Sequence, residues 1–235
     1  AVNKAEGFRA GAQFYALPPL ELGRDTGFVQ AIEPRPLRRL TIELEINRSY
    51  GDEERAADAV GKAALRDRVT RELYAKRCAQ AKDRAEKELV WQLGDEVTGP
   101  VPKRLEAGNY FAEQRQFNLG LQANGVNFDQ FLAVRGQTVE QFRQWLHRQA
   151  ERKLRSWLGL LLVAEREGLL PAKAEVNAAL ANWNEKLDGE RTFPANDTRK
   201  VRQRLARAKA TAFVVEHSTL TPPPSEPLVQ EPEAK

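Results

Sequence analysis

Leu65-Arg-Asp-Arg-Val-Thr-Arg-Glu-Leu73 and, a little further on, Ala81-Lys-Asp-Arg-Ala-Glu-Lys-Glu-Leu89 decide the fold. Apolar residues stand at 65, 69, 73, 81, 85, 89 and 93, at spacings of four and eight, with charged residues between them. At ~3.6 residues per turn these positions form one stripe, and the intervening charges face water. The spacing predicts one long amphipathic helix over roughly residues 53–93, ended by Gly94 and Gly99-Pro100. Such a stripe must be covered by other elements, so the helix reads as a scaffold.

Working downstream, Pro102 suits the first turn of a second helix. That helix carries Leu105, Phe111, Phe117 and Leu121 and stops near Asn124-Gly125. A short helix follows from Phe128 to Val134, closed by Gly136. Thr138-Val-Glu-Gln141 is a capping box. It starts a long helix bearing Phe142, Trp145, Leu146, Leu154, Trp157, Leu158, Leu161 and Leu162, which ends at Gly168. After Pro171 a further helix carries Val176, Leu180, Trp183 and Leu187. A loop occupies residues 189–194. Asn196 or Asp197 then caps a last helix with Val201, Leu205, Ala208, Ala212, Phe213 and Val215.

Both ends read differently. Residues 1–51 hold Gly7, Gly11, Pro18, Pro19, Gly23, Gly27, Pro34 and Pro36, with short β-type runs between these breakers. Leu40-Thr-Ile-Glu-Leu-Glu-Ile46 alternates apolar and polar, which predicts a strand with one buried face. Phe14-Tyr15 and Phe28-Val29 are further candidate strands. Residues 218–235, STLTPPPSEPLVQEPEAK, are dominated by Pro and Glu and predict a disordered or polyproline-like tail. The expected organisation is a small β-containing segment over 1–51, a helical domain over 52–217 and a Pro-rich tail over 218–235.

The bulk composition narrows the function classes. Hydrophobic residues make up 41% and charged residues 30%, a soluble balance with a heavily charged surface. No apolar run approaches the ~20 residues that span a bilayer. The most apolar stretch, Trp157 to Ala164, is flanked by charge. No basic region followed by an apolar core marks a secretory signal. The single cysteine, Cys78, allows neither an internal disulfide nor a thiolate metal cluster, and fits a reducing compartment. Met is absent even at position 1, so the chain is expected to be a processed or truncated piece. The net charge of +4 permits acidic partners without requiring them.

Catalytic constellations are lacking. His147 and His217 fall on different predicted helices, neither near a Cys, Asp or second His at ligand spacing. Cys78 lies mid-helix beside Lys76 and Arg77, where an inert helical cysteine is the simpler reading than a thiol of lowered pKa. Glu53-Glu54 sits among arginines as a solvated face. No P-loop, GxSxG or GxGxxG occurs. The expectation is no catalytic residue, no metal site and no cofactor. Thr198 to Lys209 is a basic amphipathic stretch that could track phosphates. No aromatic platform interleaves its Arg202, Arg204 and Arg207, so it reads as the outer face of a packed helix, and specific nucleic-acid binding is not expected.

The most informative residues are Tyr110, Phe111, Phe117, Leu119, Leu121, Phe128, Phe131 and Leu132. Leu119, Leu121 and Val126 are read as lying off the stripe of Phe117, which spreads apolar surface around short helices punctuated by Gly and Asn. Two readings compete: a compact bundle core, or a surface that holds apolar segments of another chain. An exposed apolar patch beyond a few hundred Å² would favour the second.

The order of features from 60 to 220 resembles the C-terminal domain of the trigger factor family. The long charged helix is one piece. Val97-Thr-Gly-Pro-Val-Pro-Lys-Arg-Leu-Glu106 resembles the lead-in to that family's first helical arm. Gly125-Val-Asn-Phe-Asp-Gln-Phe-Leu132 followed by Gly136-Gln-Thr-Val-Glu-Gln-Phe142 resembles its arm hairpin. Gln149 to Leu154 and Leu160 to Gly168 match the return helix, and Ala208 to Val215 the terminal one. In the N-terminal segment, Phe14 to Gly23 resembles the family's stretch leading on from its ribosome-binding domain, and Gly7-Phe-Arg-Ala-Gly11 its docking signature. Leu20-Glu-Leu-Gly23, Thr26-Gly-Phe28 and Leu37 to Tyr50 resemble a decayed FKBP-type prolyl isomerase domain.

The resemblance implies a mainly α fold, a long-helix scaffold with protruding helical arms, and a small β-containing N-terminal segment left from a ribosome-binding or isomerase domain. It implies an ATP-independent cytoplasmic chaperone that holds nascent or unfolded polypeptides in a helical cradle. Isomerase activity would be lost, and ribosome contact would run only through a missing or reduced domain. Client contact falls to Tyr110, Phe111, Phe117, Leu119, Leu121, Phe128, Phe131 and Leu132. Trp145, Trp157 and Leu161 are expected to support the arm as core. The alternatives are a periplasmic SurA-type chaperone of similar architecture and an RNA-binding helical protein.

Overall fold

The computed structural model describes residues 20–51, 58–186 and 198–230. The runs at Gly7–Gly11 and Phe14-Tyr15, the caps Asn196 and Asp197, Leu187, and the side chain of Trp183 lie outside the described residues. The chain divides into two compact units. The larger holds Leu22–Val97 and Arg152 onward; the smaller holds Thr98–Glu151.

In chain order the helices among the described residues are α1 (Arg39–Ser49), α2 (Ala59–Asp95), α3 (Lys103–Ala123), α4 (Phe128–Arg135), α5 (Val139–Arg166), α6 (Lys173–Lys186) and α7 (Thr198–Glu216). Short strands β1 (Glu21–Leu22), β2 (Val29–Ala31), β3 (Leu37–Arg38), β4 (Val97–Thr98), β5 (Thr219–Thr221) and β6 (Val229–Gln230) form three two-stranded ladders, β1 with β4, β2 with β5 and β3 with β6. The mainly α class and the long-helix scaffold are as expected from the sequence.

Helix α2 is that scaffold, 37 residues long. Asp58 caps it by accepting from the Gly61 N–H at 2.8 Å, satisfying one of the free donors of the first turn. Its stripe is covered by two clusters. Leu65 and Val69 are buried with Leu37, Ile42 and Ile46. Further along, Leu89 and Leu93 are buried with Phe28 from the N-terminal segment, Leu160, Val163 and Ala164 of α5, and Ala206, Ala210 and Val214 of α7. Gly94 does not end α2. A side chain there would meet Ser156 of α5, whose backbone N and Cα would stand 2.7 and 2.9 Å from a Cβ. Glycine is needed at this position because the α5 backbone passes too close for anything larger. At Gly159 of α5 a Cβ would likewise stand 3.1 Å from Val97 and 3.2 Å from Leu93.

Two features of the larger unit correct the sequence reading. Residues 40–46 lie within helix α1, not in a strand. Ile42 and Ile46, one helical turn apart, are buried on α2, while Leu40 and Leu44 are 69% and 59% exposed. A strand would have buried all four on one face. Arg, Glu and Leu favour the helix, and only the 42–46 pair finds a partner surface. Residues 22–50 therefore belong to the same unit as α2. No sheet of more than two strands occurs among the described residues.

The second correction concerns the tail. Residues 219–221 and 229–230 are strands, paired in parallel with β2 and β3. Composition predicts disorder because few side chains there can be buried, and from 219 to 230 none is fully buried. Backbone hydrogen bonds hold the segment instead, and composition does not report those.

Candidate functional site

The smaller unit is built from α3, α4 and the first half of α5, each start fixed locally. Pro102 precedes α3, with Leu105 and Glu106 N–H groups bonding back to its carbonyl at 2.8 and 3.2 Å. Asn127 and Gln130 form a capping box on α4. Gly136, at φ +60, closes α4 in the left-handed region, where glycine carries no Cβ penalty. The predicted Thr138–Gln141 box is present: the Gln141 N–H donates to Thr138 Oγ1 at 3.2 Å, and the Thr138 N–H to Gln141 Oε1 at 2.9 Å. Asn109 of α3 donates from Nδ2 to the Ala150 carbonyl at 2.5 Å, tying α3 to α5.

An aromatic cluster fills the interior. Phe142, buried, is its hub, with ring centroids 4.7 Å from Phe117, 5.1 Å from Phe128, 5.9 Å from Phe131 and 5.7 Å from Trp145. Phe117 also meets Phe131 at 5.0 Å and 73°, the edge-to-face geometry that ring quadrupoles prefer. Leu132, Phe142 and Leu146 are the buried residues of this cluster, and Tyr110, Phe117, Phe128, Phe131 and Trp145 are partly buried against it. Arg135 lies over the Phe131 ring at 4.8 Å. Tyr110 lies 5.3 Å from His147.

The eight residues singled out from the sequence therefore occupy three kinds of place. Leu132 is in the interior. Tyr110, Phe117, Leu121, Phe128 and Phe131 are half-buried. Phe111 and Leu119 stand out from α3, 62% and 51% exposed. At ~100° per residue, Tyr110, Phe117 and Leu121 share one stripe of α3. Leu121 thus lies on the Phe117 stripe, contrary to the sequence reading, while Phe111 and Leu119 point about 100° and 180° away from it. The 21 residues of α3 include none that is fully buried. Val126, Val134 and Val139 add exposed apolar side chains in the same unit, Val134 at 89%. Sequence reading missed Val134 and Val139 because single valines on charged faces carry no periodic signal. It also did not single out Phe142 as the hub.

Trp157 and Leu161, expected in the arm, lie in the larger unit. Leu161 packs on the α2–α5–α7 core, and Trp157 lies 5.3 Å beneath the Arg207 guanidinium. Desolvation, and then the charge of Arg204, lower the pKa of Arg207. Lys209 bonds both oxygens of Glu175 at 2.8 and 2.9 Å. That contact, followed by the Ala172 N–H, lowers the Glu175 pKa. The basic residues of α7 are thus partly engaged within the fold. Among the described residues no three His, Cys, Asp or Glu side chains gather as metal ligands, and no helix is long and apolar enough to cross a membrane.

Residues 62–216 match the family model described as bacterial trigger factor protein C-terminus. The chain belongs to the trigger factor family. It is 25% identical over 160 residues to the trigger factor of Halalkalibacterium halodurans, a match covering 66% of this chain and 37% of that protein. It is 24% identical over 161 residues to the trigger factor of Lysinibacillus sphaericus, covering 67% of this chain and 38% of that protein. The match thus spans under two-fifths of the length of these trigger factors. The matched region contains α3, α4 and all eight residues of the candidate site.

Proposed function

We propose that this trigger factor-family chain is an ATP-independent holdase, which binds apolar segments of nascent or unfolded polypeptides on the α3–α4 surface of its smaller unit. One observation carries the reading. Helix α3 bears Leu105, Tyr110, Phe111, Phe117, Leu119 and Leu121, and none of them is sealed from solvent. Phe111 and Leu119, which stand clear of the stripe of Tyr110, Phe117 and Leu121, leave apolar surface that another chain can cover. Covering it gains about 25 cal/mol per Å² of apolar surface, and much of that gain is offset by the ordering of both partners. Binding is then modest in strength. A client that buries its own apolar surface by folding withdraws it, so release needs no nucleotide. The buried Leu132, Phe142 and Leu146 keep the half-buried rings in place, while Phe111 and Leu119 meet the client first. The reading assigns the chain no isomerase or nucleic-acid role and places it in the cytoplasm, in keeping with its one cysteine.

The test is aggregation of a chemically denatured model protein diluted into buffer with and without this chain. Equimolar protein is expected to reduce light scattering by at least half, without ATP. Scattering unchanged at a several-fold molar excess would overturn the assignment.

A further inference from the structure

The larger unit carries an extended peptide already seated on it, the chain's own residues 219–230. The Thr219 N–H donates to the Phe28 carbonyl at 2.8 Å, and the Ile32 N–H to the Thr221 carbonyl at 3.0 Å. Val29, Gln30 and Ala31 pair in register with Thr219, Leu220 and Thr221. The Leu37 N–H then donates to the Leu228 carbonyl at 2.8 Å, and Leu37 and Arg38 pair with Val229 and Gln230. Between the two ladders the Tyr74 hydroxyl donates to the Pro224 carbonyl at 2.6 Å. Partial desolvation, then the neighbouring Cys78, raises the Tyr74 pKa.

Seat and occupant differ in character. On the seat, Phe28 and Leu37 are 1% exposed and fixed in the two clusters along α2. In the occupant no side chain from 219 to 230 is buried, and Leu228 is 62% exposed. Leu220, half-buried, packs on the cluster that holds Phe28, and beyond it the occupant is held through its backbone. From Thr221 to Leu228 the contacts named above reach it through carbonyl oxygens, which proline possesses as fully as any residue. Three of the intervening residues are Pro222, Pro223 and Pro224, which lack an N–H and are already restricted to extended conformations. Strand addition of this kind reads backbone and tolerates many side chains.

We propose that the edge running from Phe28 to Ile32 and on to Leu37, with the Tyr74 hydroxyl, is a second polypeptide-binding site. Its ligand class is an extended, proline-containing segment of another chain, and residues 219–230 occupy it in cis as a displaceable stand-in. The proposal extends the holdase reading to a second surface, where recognition is by backbone with one apolar side chain, at the place of Leu220.

Amide hydrogen exchange on the full chain tests it, with a synthetic peptide of the sequence Ser218 to Gln230 as probe. At saturating peptide the chain's own Thr219 and Thr221 amides should exchange at least tenfold faster, while Ile32 and Leu37 stay protected by the incoming strand. A peptide of otherwise unrelated side chains that keeps the leucine at the place of Leu220 and the three consecutive prolines should do the same. Replacing those prolines by glycine should weaken its effect several-fold. Tyr74→Phe should speed opening of the chain's own tail about fivefold. Unchanged protection of residues 219–221 at saturating peptide would overturn the proposal. So would joint loss of protection at Ile32 and Leu37, because the edge would then not accept a replacement. Failure here with aggregation suppression intact refutes the second site alone, whereas failed aggregation suppression with successful exchange refutes the holdase reading alone.

Discussion

Phe111→Ser combined with Leu119→Ser is expected to abolish most protection against aggregation while leaving the fold intact. Both side chains are more than half exposed, so little native packing is lost and stability should move by no more than about 0.5 kcal/mol. Their value lies in the complex. Fully burying a Leu or Phe gains about 1.5–3 kcal/mol each, and incomplete coverage by a flexible client reduces the pair to about 2 kcal/mol. At ~1.4 kcal/mol per factor of ten this corresponds to roughly thirtyfold weaker client binding. Scattering curves for the variant should approach those without chaperone, with an unchanged far-ultraviolet circular dichroism spectrum. Protection equal to that of the unaltered chain would exclude α3 as the client surface.

Phe142→Ala acts on the other side of the same architecture. Its ring touches Phe117, Phe128, Phe131 and Trp145, and it is one of three buried residues in the cluster of the smaller unit. Truncating a buried Phe costs about 3–5 kcal/mol. Three buried side chains make a small core, and small cores have little stability in reserve. The smaller unit is therefore expected to lose hydrogen-exchange protection across α3 and α4. Leu89, Leu93, Val163 and Val214 belong to a separate cluster, so the amides of α2 and α7 should stay protected. Loss of protection in both units together would show that the aromatic cluster supports the whole chain. Protection retained across α3 and α4 would show that the ring is dispensable.

How far the sequence reached depended on whether a signal was periodic. The α2 stripe, the Thr138–Gln141 box and the stops at Gly125 and Gly136 were legible, because each follows from spacing or from a conformation that one residue type supplies. The Leu40–Ile46 run misled, because its period of two also contains the i, i+4 pair that a helix buries. Which pattern wins depends on the surface supplied by Leu65 and Val69 of α2, which lie outside the run itself. Gly94 misled for a related reason: a glycine that admits a neighbouring helix looks like one that ends its own. The pairing of residues 219–230 was invisible, since backbone hydrogen bonds leave no trace in composition. In the candidate site, residue types named the cluster, but only the turn-by-turn geometry of α3 separated Phe111 and Leu119 from the half-buried Phe117.

A photoreactive amino acid placed at position 111, with a second at Gly120 as control, exposed and ~180° away around the same helix, would interrogate the open face of α3 directly. Illumination with a permanently unfolded, carboxymethylated polypeptide should give strong crosslinks from 111 and few from 120, and the crosslinks should fade when the polypeptide is replaced by its folded form. Crosslinks equally weak at both positions, or insensitive to whether the partner is folded, would contradict the account.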